Sequence, residues 1–374
     1  MKVRARTWLT GYFCIVIAVL FLIGALVYHI DPAMHYHYPY IERYHYELSD
    51  QRWQNNGITK HFDYDAVITG SSMTEQFKTS EVDDLFGVRS IKVPYSGASY
   101  KEVNDNLKIA LQYHPDLKLV IRGLDMNRFF DDCSAMEYEL EEYPSYLYNE
   151  NAFDDVNYLF NRDAIIETYK LLAETLQGTA PGITSFDEYS IWQDHYTFGI
   201  NAVCPNGICM EGLERRQVHL SNEEKLVIRE NIYANVISIA EEYPEVKFYY
   251  FFPPYSAVWW SDQVKDGMVC RQIEAEQYII ELLLECDNVR LYSFNNRTDI
   301  TTDLNHYKDA GHYASWINSL MLGWMYNGEG LLTWENYKDY LEEELLFYTT
   351  FDYESLNGQI DYEEDDYAAI LLNE

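Results

Sequence analysis

Positively charged residues are scarce in this chain, and their scarcity excludes one broad class of partner. The 374 residues include 27 Lys and Arg against 61 Asp and Glu, which gives a formal net charge of −34 at pH 7. Proteins that bind nucleic acids neutralise phosphates with clustered Lys and Arg. The charge balance therefore argues against a nucleic-acid partner, while the length allows one large domain or two small ones.

Cysteine is also infrequent and follows no recognisable spacing. Cys14 lies in an apolar N-terminal run, and the other five are Cys133, Cys204, Cys209, Cys270 and Cys286. Their scatter predicts neither a disulfide framework nor a zinc site. Cys204 and Cys209 close a tight turn. If this region is extracellular, the sequence leaves two alternatives for them, a local disulfide or two free thiols.

The N-terminus carries the clearest physical signal. Lys2, Arg4 and Arg6 precede an uncharged run from Trp8 to Tyr28, which is long enough to cross about 30 Å of hydrocarbon. The basic flank predicts a cytoplasmic N-terminus. A cleaved signal peptide is the alternative, but no small-x-small site follows the run. We predict a retained single-pass anchor in the cell membrane (residues 1–30), with the main domain extracytoplasmic.

Residues 31–60 are polar and aromatic, and we predict a juxtamembrane stalk there. His35 and His37 form a His-x-His pair, but no cysteine or carboxylate cluster accompanies them. The simpler explanation for these polar and aromatic residues is that they lie near the lipid headgroups. We therefore expect no metal and no cofactor.

From residue 61 onward, apolar β-runs alternate with helical patterns, which is typical of a parallel α/β sheet. Strands are predicted over 65–69, 90–93, 118–123, 246–252 and 289–293, and helices over 73–86, 100–113, 153–176, 222–242, 267–285 and 306–326. Ser221 and Glu224 form a capping box at the start of one helix. We predict a main domain over 61–330.

Two further segments flank or interrupt this domain. The insertion 129–220 leaves the carboxyl edge of the sheet, where α/β proteins place lids and specificity elements. The C-terminal portion, 331–374, is predicted to be an acidic helix and tail, because the runs 342–344 and 363–366 are typical of solvated surface.

The candidate chemistry begins in the stretch from Asp65 to Glu75. A short apolar strand there delivers Ser71 and Ser72 into a turn whose backbone N–H groups can hold an oxyanion. Asp303 and His306 follow more than two hundred residues later. A nucleophile early and Asp and His late is one chain order of a Ser–His–Asp triad, although such a turn is also an ordinary helix N-cap.

The loops after the other strands carry further candidates. Gly97 follows the second strand and can approach a substrate oxygen closely. Asp125 and Asn127 follow the third strand, and Tyr255 follows the fourth. Ligands bind at this edge in open α/β sheets, so we expect these residues to converge.

The chain resembles the SGNH (GDSL-type) hydrolase superfamily over 62–130 and 246–325. The family's Gly-Asp-Ser block is matched by Gly70-Ser71-Ser72, its lone glycine by Gly97, and its Asp-x-x-His block by Asp303 to His306. The Gly-Ser-Ser version is similar to that of membrane-anchored extracytoplasmic members, such as the D-alanylation protein of teichoic acids and alginate O-acetylation proteins.

The resemblance implies a three-layer α/β/α sandwich with a five-stranded parallel sheet of flavodoxin-like type. It also implies acyl transfer with Ser72 as nucleophile, His306 as base and Asp303 holding the imidazole. Ser71 is the rival nucleophile. The backbone amides of Ser72 and Gly97 would stabilise the oxyanion.

One block departs from the family. Asp125 occupies the position of the oxyanion-hole asparagine, so either Asn127 substitutes or the hole has two donors. Losing one such donor typically costs about 10²–10³ in rate. Asp125, Tyr95 and Tyr255 are predicted to contact the substrate.

We therefore predict a membrane-anchored serine esterase or O-acyltransferase that acts on acyl groups, acetyl above all, of cell-envelope polysaccharide. By resemblance, it would work beside a membrane-bound O-acyltransferase partner. The alternatives are a catalytically weakened binding or scaffold protein, suggested by Asp125, and a lipid-directed esterase, suggested by the anchor.

Overall fold

The structure, a computed structural model, describes residues 2–138, 143–212 and 216–362, with the backbone alone for residues 2–4. Its strands are β1 His45–Tyr46, β2 Ala66–Gly70, β3 Ser90–Pro94, β4 Leu119–Gly123, β5 Gly182–Ile183, β6 Lys247–Phe252 and β7 Val289–Ser293. Its α-helices are α1 Lys2–Ile30, α2 Gln51–His61, α3 Thr79–Phe86, α4 Tyr100–Tyr113, α5 Val156–Leu159, α6 Arg162–Gln177, α7 Ile200–Val203, α8 Asn222–Ile232, α9 Ser238–Glu242, α10 Ala257–Lys265, α11 Val269–Leu283, α12 Thr298–Thr301, α13 Ser315–Asn327 and α14 Tyr337–Thr350.

The chain divides into two compact units. The first, which we call the anchor unit, comprises Met1–Phe62 and Tyr138–Ser185, and the second, the sheet unit, comprises Asp63–Glu137 and Phe186–Glu374. These bounds differ from the predicted ones. The stalk is folded together with the first half of the insertion, whereas the second half of the insertion belongs to the sheet unit.

The anchor unit is built around the end of α1. The stretch Ala5–Ile30 has a mean hydropathy of 2.7 and is long and apolar enough to span a membrane. Val27 and Ile30 at its C-terminal end are buried in this unit, against Tyr158 and Leu171 respectively. The last turns of α1 therefore contribute to the hydrophobic core of this unit.

Asp31 holds the chain that leaves α1. Its buried carboxylate accepts the backbone N–H groups of His35, Tyr36 and His37 and the hydroxyl of Tyr158, the last at 2.7 Å. Burial raises the pKa of Asp31, and these hydrogen bonds counteract the rise. The start of the predicted stalk is therefore an ordered turn wrapped around one carboxylate, and β1 and α2 follow it.

The sheet unit contains five parallel strands in the order β3-β2-β4-β6-β7. Counted along the chain, these five strands lie in the order 2-1-3-4-5, which is common among doubly wound α/β folds. Strands β2, β3 and β4 are buried at every residue. Burial on both faces fits the largely apolar sequences of β2 and β4. The exceptions, Lys92 in β3 and Arg122 in β4, are buried as well, and their charged groups donate to backbone carbonyls. The predicted parallel α/β organisation is confirmed.

Helix boundaries follow from capping and burial. The capping box at Ser221 and Glu224 is present, and a second joins Ser99 and Glu102 at the start of α4. Helix α14 is not a uniformly solvated acidic helix, because Glu344 is fully buried and its pKa is raised by burial. The predicted acidic run 363–366 lies outside the described residues.

The largest local departure from prediction concerns the predicted helix at 306–326. Helix α13 begins only at Ser315, and an antiparallel bridge between Tyr307 and Tyr313 closes a tight loop before it. The backbone N–H of Lys308 donates to the carbonyl of His312 at 3.0 Å. These bonds replace helical hydrogen bonds and expose the loop tip, which carries Asp309 to His312.

Candidate active site

The carboxyl ends of the five strands bring the candidate residues together. Ser72 follows β2, Gly97 follows β3, Asp125 follows β4, Tyr255 follows β6, and the loop tip with His312 follows β7. They line one pocket of about 340 Å³. The strand order reverses between β2 and β4, and this reversal is where open α/β sheets form their ligand crevice.

Three side chains form a chain of hydrogen bonds in this pocket. Ser72 Oγ lies 2.7 Å from Nε2 of His312. Nδ1 of the same imidazole lies 2.9 Å from Oδ2 and 3.0 Å from Oδ1 of Asp309. If the carboxylate fixes the proton on Nδ1, Nε2 is free to accept the serine proton.

The environment of Asp309 favours its charged form. Partial burial opposes ionisation, but the His312 side chain and the backbone N–H groups of Gly311 and His312 outweigh it and lower the pKa of Asp309 to about 2. Asp309 is therefore ionised at any neutral pH, as an orienting carboxylate must be.

Ser72 is placed by the turn after β2. Gly70 has a φ of +146°, and a Cβ there would meet the Thr74 side chain at 2.8 Å, so a glycine is required at this corner. Ser71 caps the following 3₁₀ turn, Ser72–Thr74, by accepting the backbone N–H of Met73. Ser72 is the first residue of that turn and points to His312.

Asp125 is held by hydroxyl groups. Its two carboxylate oxygens accept the side-chain hydroxyls of Ser71 and Tyr255, and its carbonyl accepts the Tyr100 hydroxyl at 2.8 Å. Burial and the adjacent Asp125 carboxylate raise the pKa of Tyr255, so it stays a neutral donor. Both oxygens of Asp125 thus have protein donors.

Three groups at the pocket can donate to an oxyanion. In the described part of the chain, the backbone N–H groups of Ser72 and Gly97 donate to no protein acceptor. Asn127 is exposed and lines the same pocket, and its side-chain oxygen accepts the Trp259 indole N–H at 3.1 Å. This bond directs its NH₂ group towards Tyr255, 3.4 Å away.

The β4 loop is supported from behind by a π-helical segment, Tyr233–Ile237, between α8 and α9. Buried Arg122 at the end of β4 donates to the carbonyls of Asn235 and Tyr100, at 2.8 and 3.0 Å. Asn231 donates in turn to the carbonyl of Arg128. In a regular α-helix the Asn235 carbonyl would accept a hydrogen bond from within the helix. In the wider π-helical turn it accepts one from Arg122 instead.

Trp192, from the second half of the insertion, packs beside the imidazole. Its ring is 5.8 Å from that of His312 and nearly perpendicular to it. The Lys308 ammonium lies 3.8 Å from the Trp192 ring and 3.9 Å from the Tyr196 ring. Gln193 ties this segment to the loop by accepting the Ser315 N–H at 2.6 Å. The segment borders the site within the sheet unit.

The structure does not bring Asp303 and His306 to Ser72, and this corrects the predicted triad. His306 Nδ1 lies 3.2 Å from the carbonyl of Ile300, and its Nε2 is 3.7 Å from Asp303. Asp303 accepts the Tyr362 hydroxyl at 2.7 Å. Both residues stabilise the loop that leads to the site.

The other predicted site residues divide clearly. Ser72, Gly97, Asp125, Asn127 and Tyr255 line the pocket as expected. Tyr95 does not, because its side chain is fully buried in the sheet unit and unable to meet a substrate. Ser71 is bonded to Asp125 and not to a histidine, which weakens it as rival nucleophile.

Two residues of the site were missed, and a sequence signal for them existed. Asp309 and His312 have the same Asp-x-x-His spacing as Asp303 and His306, six residues further on. The predicted helix from His306 concealed them, because it assigned the second segment to a helix interior.

Comparison with known proteins adds little. No protein-family model and no curated protein matches the chain. A solved structure from Streptococcus pneumoniae, provisionally described as a platelet activating factor, is similar at 12% identity and a TM-score of 0.36, covering 78% of this chain and 91% of its own. At a TM-score this low, the similarity carries no argument about the fold or function of this chain.

Proposed function

We propose that this protein is an SGNH-type serine esterase or O-acyltransferase with Ser72, His312 and Asp309 as its triad. The observation that best supports this proposal is the continuous hydrogen-bonded path from Ser72 Oγ through His312 to Asp309. Nucleophile, base and orienting carboxylate in hydrogen-bond contact are the signature of activated-serine chemistry.

This geometry supports the following reaction. Ser72 Oγ attacks the ester carbonyl while His312 Nε2 accepts its proton, and Asp309 holds the imidazole and supports its positive charge. The Ser72 and Gly97 amides and the Asn127 side chain are placed to donate to the oxyanion. His312 then protonates the leaving alcohol, and the acyl group on Ser72 passes to water or to a second hydroxyl.

Asp125 fits this proposal as a positioning residue. A free carboxylate would repel an oxyanion, but both of its oxygens accept hydroxyl hydrogen bonds. Its role is then to fix Ser71 and Tyr255 at the pocket wall, while Asn127 takes the place of the family's asparagine donor.

The acceptor and location are extensions of the same proposal. With α1 as a retained single-pass anchor and an extracytoplasmic sheet unit, an acetylated cell-envelope polysaccharide is the substrate we favour, beside a membrane-bound O-acyltransferase. Acetylated polysaccharide tested against acyl lipids would separate this substrate class from a lipid-directed esterase.

A fluorophosphonate probe tests the catalytic proposal directly. The full chain in detergent should be labelled covalently, Ser72→Ala should not, and Ser71→Ala should still be labelled, although more slowly. Absence of labelling in a folded wild-type chain would favour the binding or scaffold alternative. Labelling that survives Ser72→Ala but is lost in Ser71→Ala would move the nucleophile to Ser71.

A further inference from the structure

A second apolar surface of the anchor unit lies beside α1. Phe153, Val156 and Phe160 surround the short helix α5, and they are 91%, 53% and 42% exposed. Large apolar side chains so exposed on neighbouring positions commonly mark an interaction site. The same segment buries Tyr158 completely against Val27, so it is firmly attached to the unit.

The two carboxylates of this segment form hydrogen bonds within the anchor unit. Asp155 accepts the Tyr36 hydroxyl at 3.1 Å and lies 3.4 Å from His35 Nε2. Asp154 accepts the side-chain N–H of Asn149 at 2.9 Å. The carboxylates of the segment therefore have protein partners, whereas Phe153, Val156 and Phe160 face outward together with Asn157.

Phe160 places this surface beside the apolar stretch of α1. A Cβ added at Gly24 would lie 3.4 Å from the Phe160 ring, so this ring contacts α1 within the apolar stretch Ala5–Ile30. At about 1.5 Å per residue, Gly24 is roughly 9 Å along the helix axis from Ile30. Side chains of interfacial helices reach a similar depth, about 5–10 Å, at the headgroup–acyl boundary.

We propose that residues 153–160 insert into the lipid–water interface beside α1 and give the protein a second membrane contact. The Phe160 ring of this surface lies against α1 at Gly24, and Phe21 and Leu22 of the same helix are 76% and 68% exposed. The occupant is therefore the bilayer that α1 enters. This inference depends on α1 spanning the membrane and is independent of the catalytic proposal.

Photocrosslinking tests the proposal in the full chain reconstituted in phosphatidylcholine nanodiscs. Benzoylphenylalanine replaces Phe153, Leu176 or Phe13 in separate variants, and lipid adducts are counted by mass spectrometry. Leu176 is the matched control because it is 88% exposed in the same unit, at the C-terminal end of α6. Phe13, within the apolar stretch, reports the membrane itself.

The expected result is abundant lipid adducts at positions 13 and 153, and at least about tenfold fewer at 176, where water surrounds the side chain. Adducts at 153 that do not exceed those at 176 would overturn the proposal while leaving the span intact. Crosslinks from 153 to a second copy of the chain would overturn it in favour of a protein partner. Absence of lipid adducts at position 13 would remove its premise and overturn it as well.

Discussion

The chain carries two Asp-x-x-His segments of identical spacing that do different things. Asp303 and His306 lie on a 3₁₀ turn, where the carboxylate caps the turn and the imidazole points to a backbone carbonyl. Asp309 and His312 lie at the tip of the next loop, where the imidazole bridges the carboxylate and Ser72.

The partners of each carboxylate explain the difference. Asp303 is engaged by Tyr362 and by the N–H groups of Asn305, so it is committed to holding the loop. Asp309 is engaged by its own histidine and by the N–H groups beside it. Equal spacing permits both arrangements, and only the second segment brings its imidazole to Ser72, because its loop tip lies at the carboxyl ends of the strands.

Removing the histidines should give the largest contrast. His312→Ala and Ser72→Ala should each reduce kcat/KM on an aryl acetate by about 10⁴–10⁶, and their double variant should be little worse, because residues acting as one unit are non-additive. His306→Ala should stay within a few-fold of wild type. A large loss in His306→Ala with an active His312→Ala would reverse the assignment.

The carboxylates should differ by somewhat less. Asp309→Asn should cost about 10³–10⁴ in kcat, because the imidazole loses its orienting charge, whereas Asp303→Asn should cost almost nothing. Since the pKa of Asp309 is about 2, lowering the pH deprives the site of this charge only near that value. Any fall in wild-type activity between pH 4 and 7 must therefore have another origin, and a pH–rate profile with both variants checks this.

Much of the fold could be predicted from the sequence because its signals are local. All five strands of the sheet unit were located to within one residue at either end, since each is centred on Val, Ile, Leu or aromatic residues. The two-unit division was not foreseen. It depends on contacts such as that of Asp31 with Tyr158, more than a hundred residues apart, which leave no local pattern.

The site was predictable only in part, for a similar reason. Ser72, Gly97 and Asn127 follow strands directly, so strand prediction located them. Asp309 and His312 lie in a loop whose shape depends on the bridge between Tyr307 and Tyr313. The apolar, helix-like composition of 306–326 favoured a single helix. In the structure the backbone of Tyr307 pairs with that of Tyr313, and the helix begins only at Ser315.

Substituting the two carboxylates should affect stability in the opposite order from activity. Asp303→Ala removes the acceptor of the Tyr362 hydroxyl and the Asn305 N–H, and should cost about 1–2 kcal/mol, a fall of a few degrees in the thermal midpoint. Asp309→Ala should lower the midpoint less, because this side chain is 49% exposed against 27% for Asp303. A larger shift for Asp309→Ala would indicate that the catalytic loop also holds the fold.

The smallest expected contrast concerns the aromatic neighbour of each histidine. Trp192 lies 5.8 Å from His312 and Trp316 lies 6.3 Å from His306, both nearly perpendicular. Trp192→Leu should lower kcat/KM by roughly three- to tenfold, because about 0.5–1.5 kcal/mol of aromatic contact orients the catalytic ring, and Trp192→Phe should restore most of it. Trp316→Leu should leave the rate of the folded fraction unchanged but lower the thermal midpoint, since Trp316 is only 4% exposed. Equal rate losses from both leucine variants would show that the two histidines share one cooperative loop, and the separation into a catalytic and a structural segment would then fail.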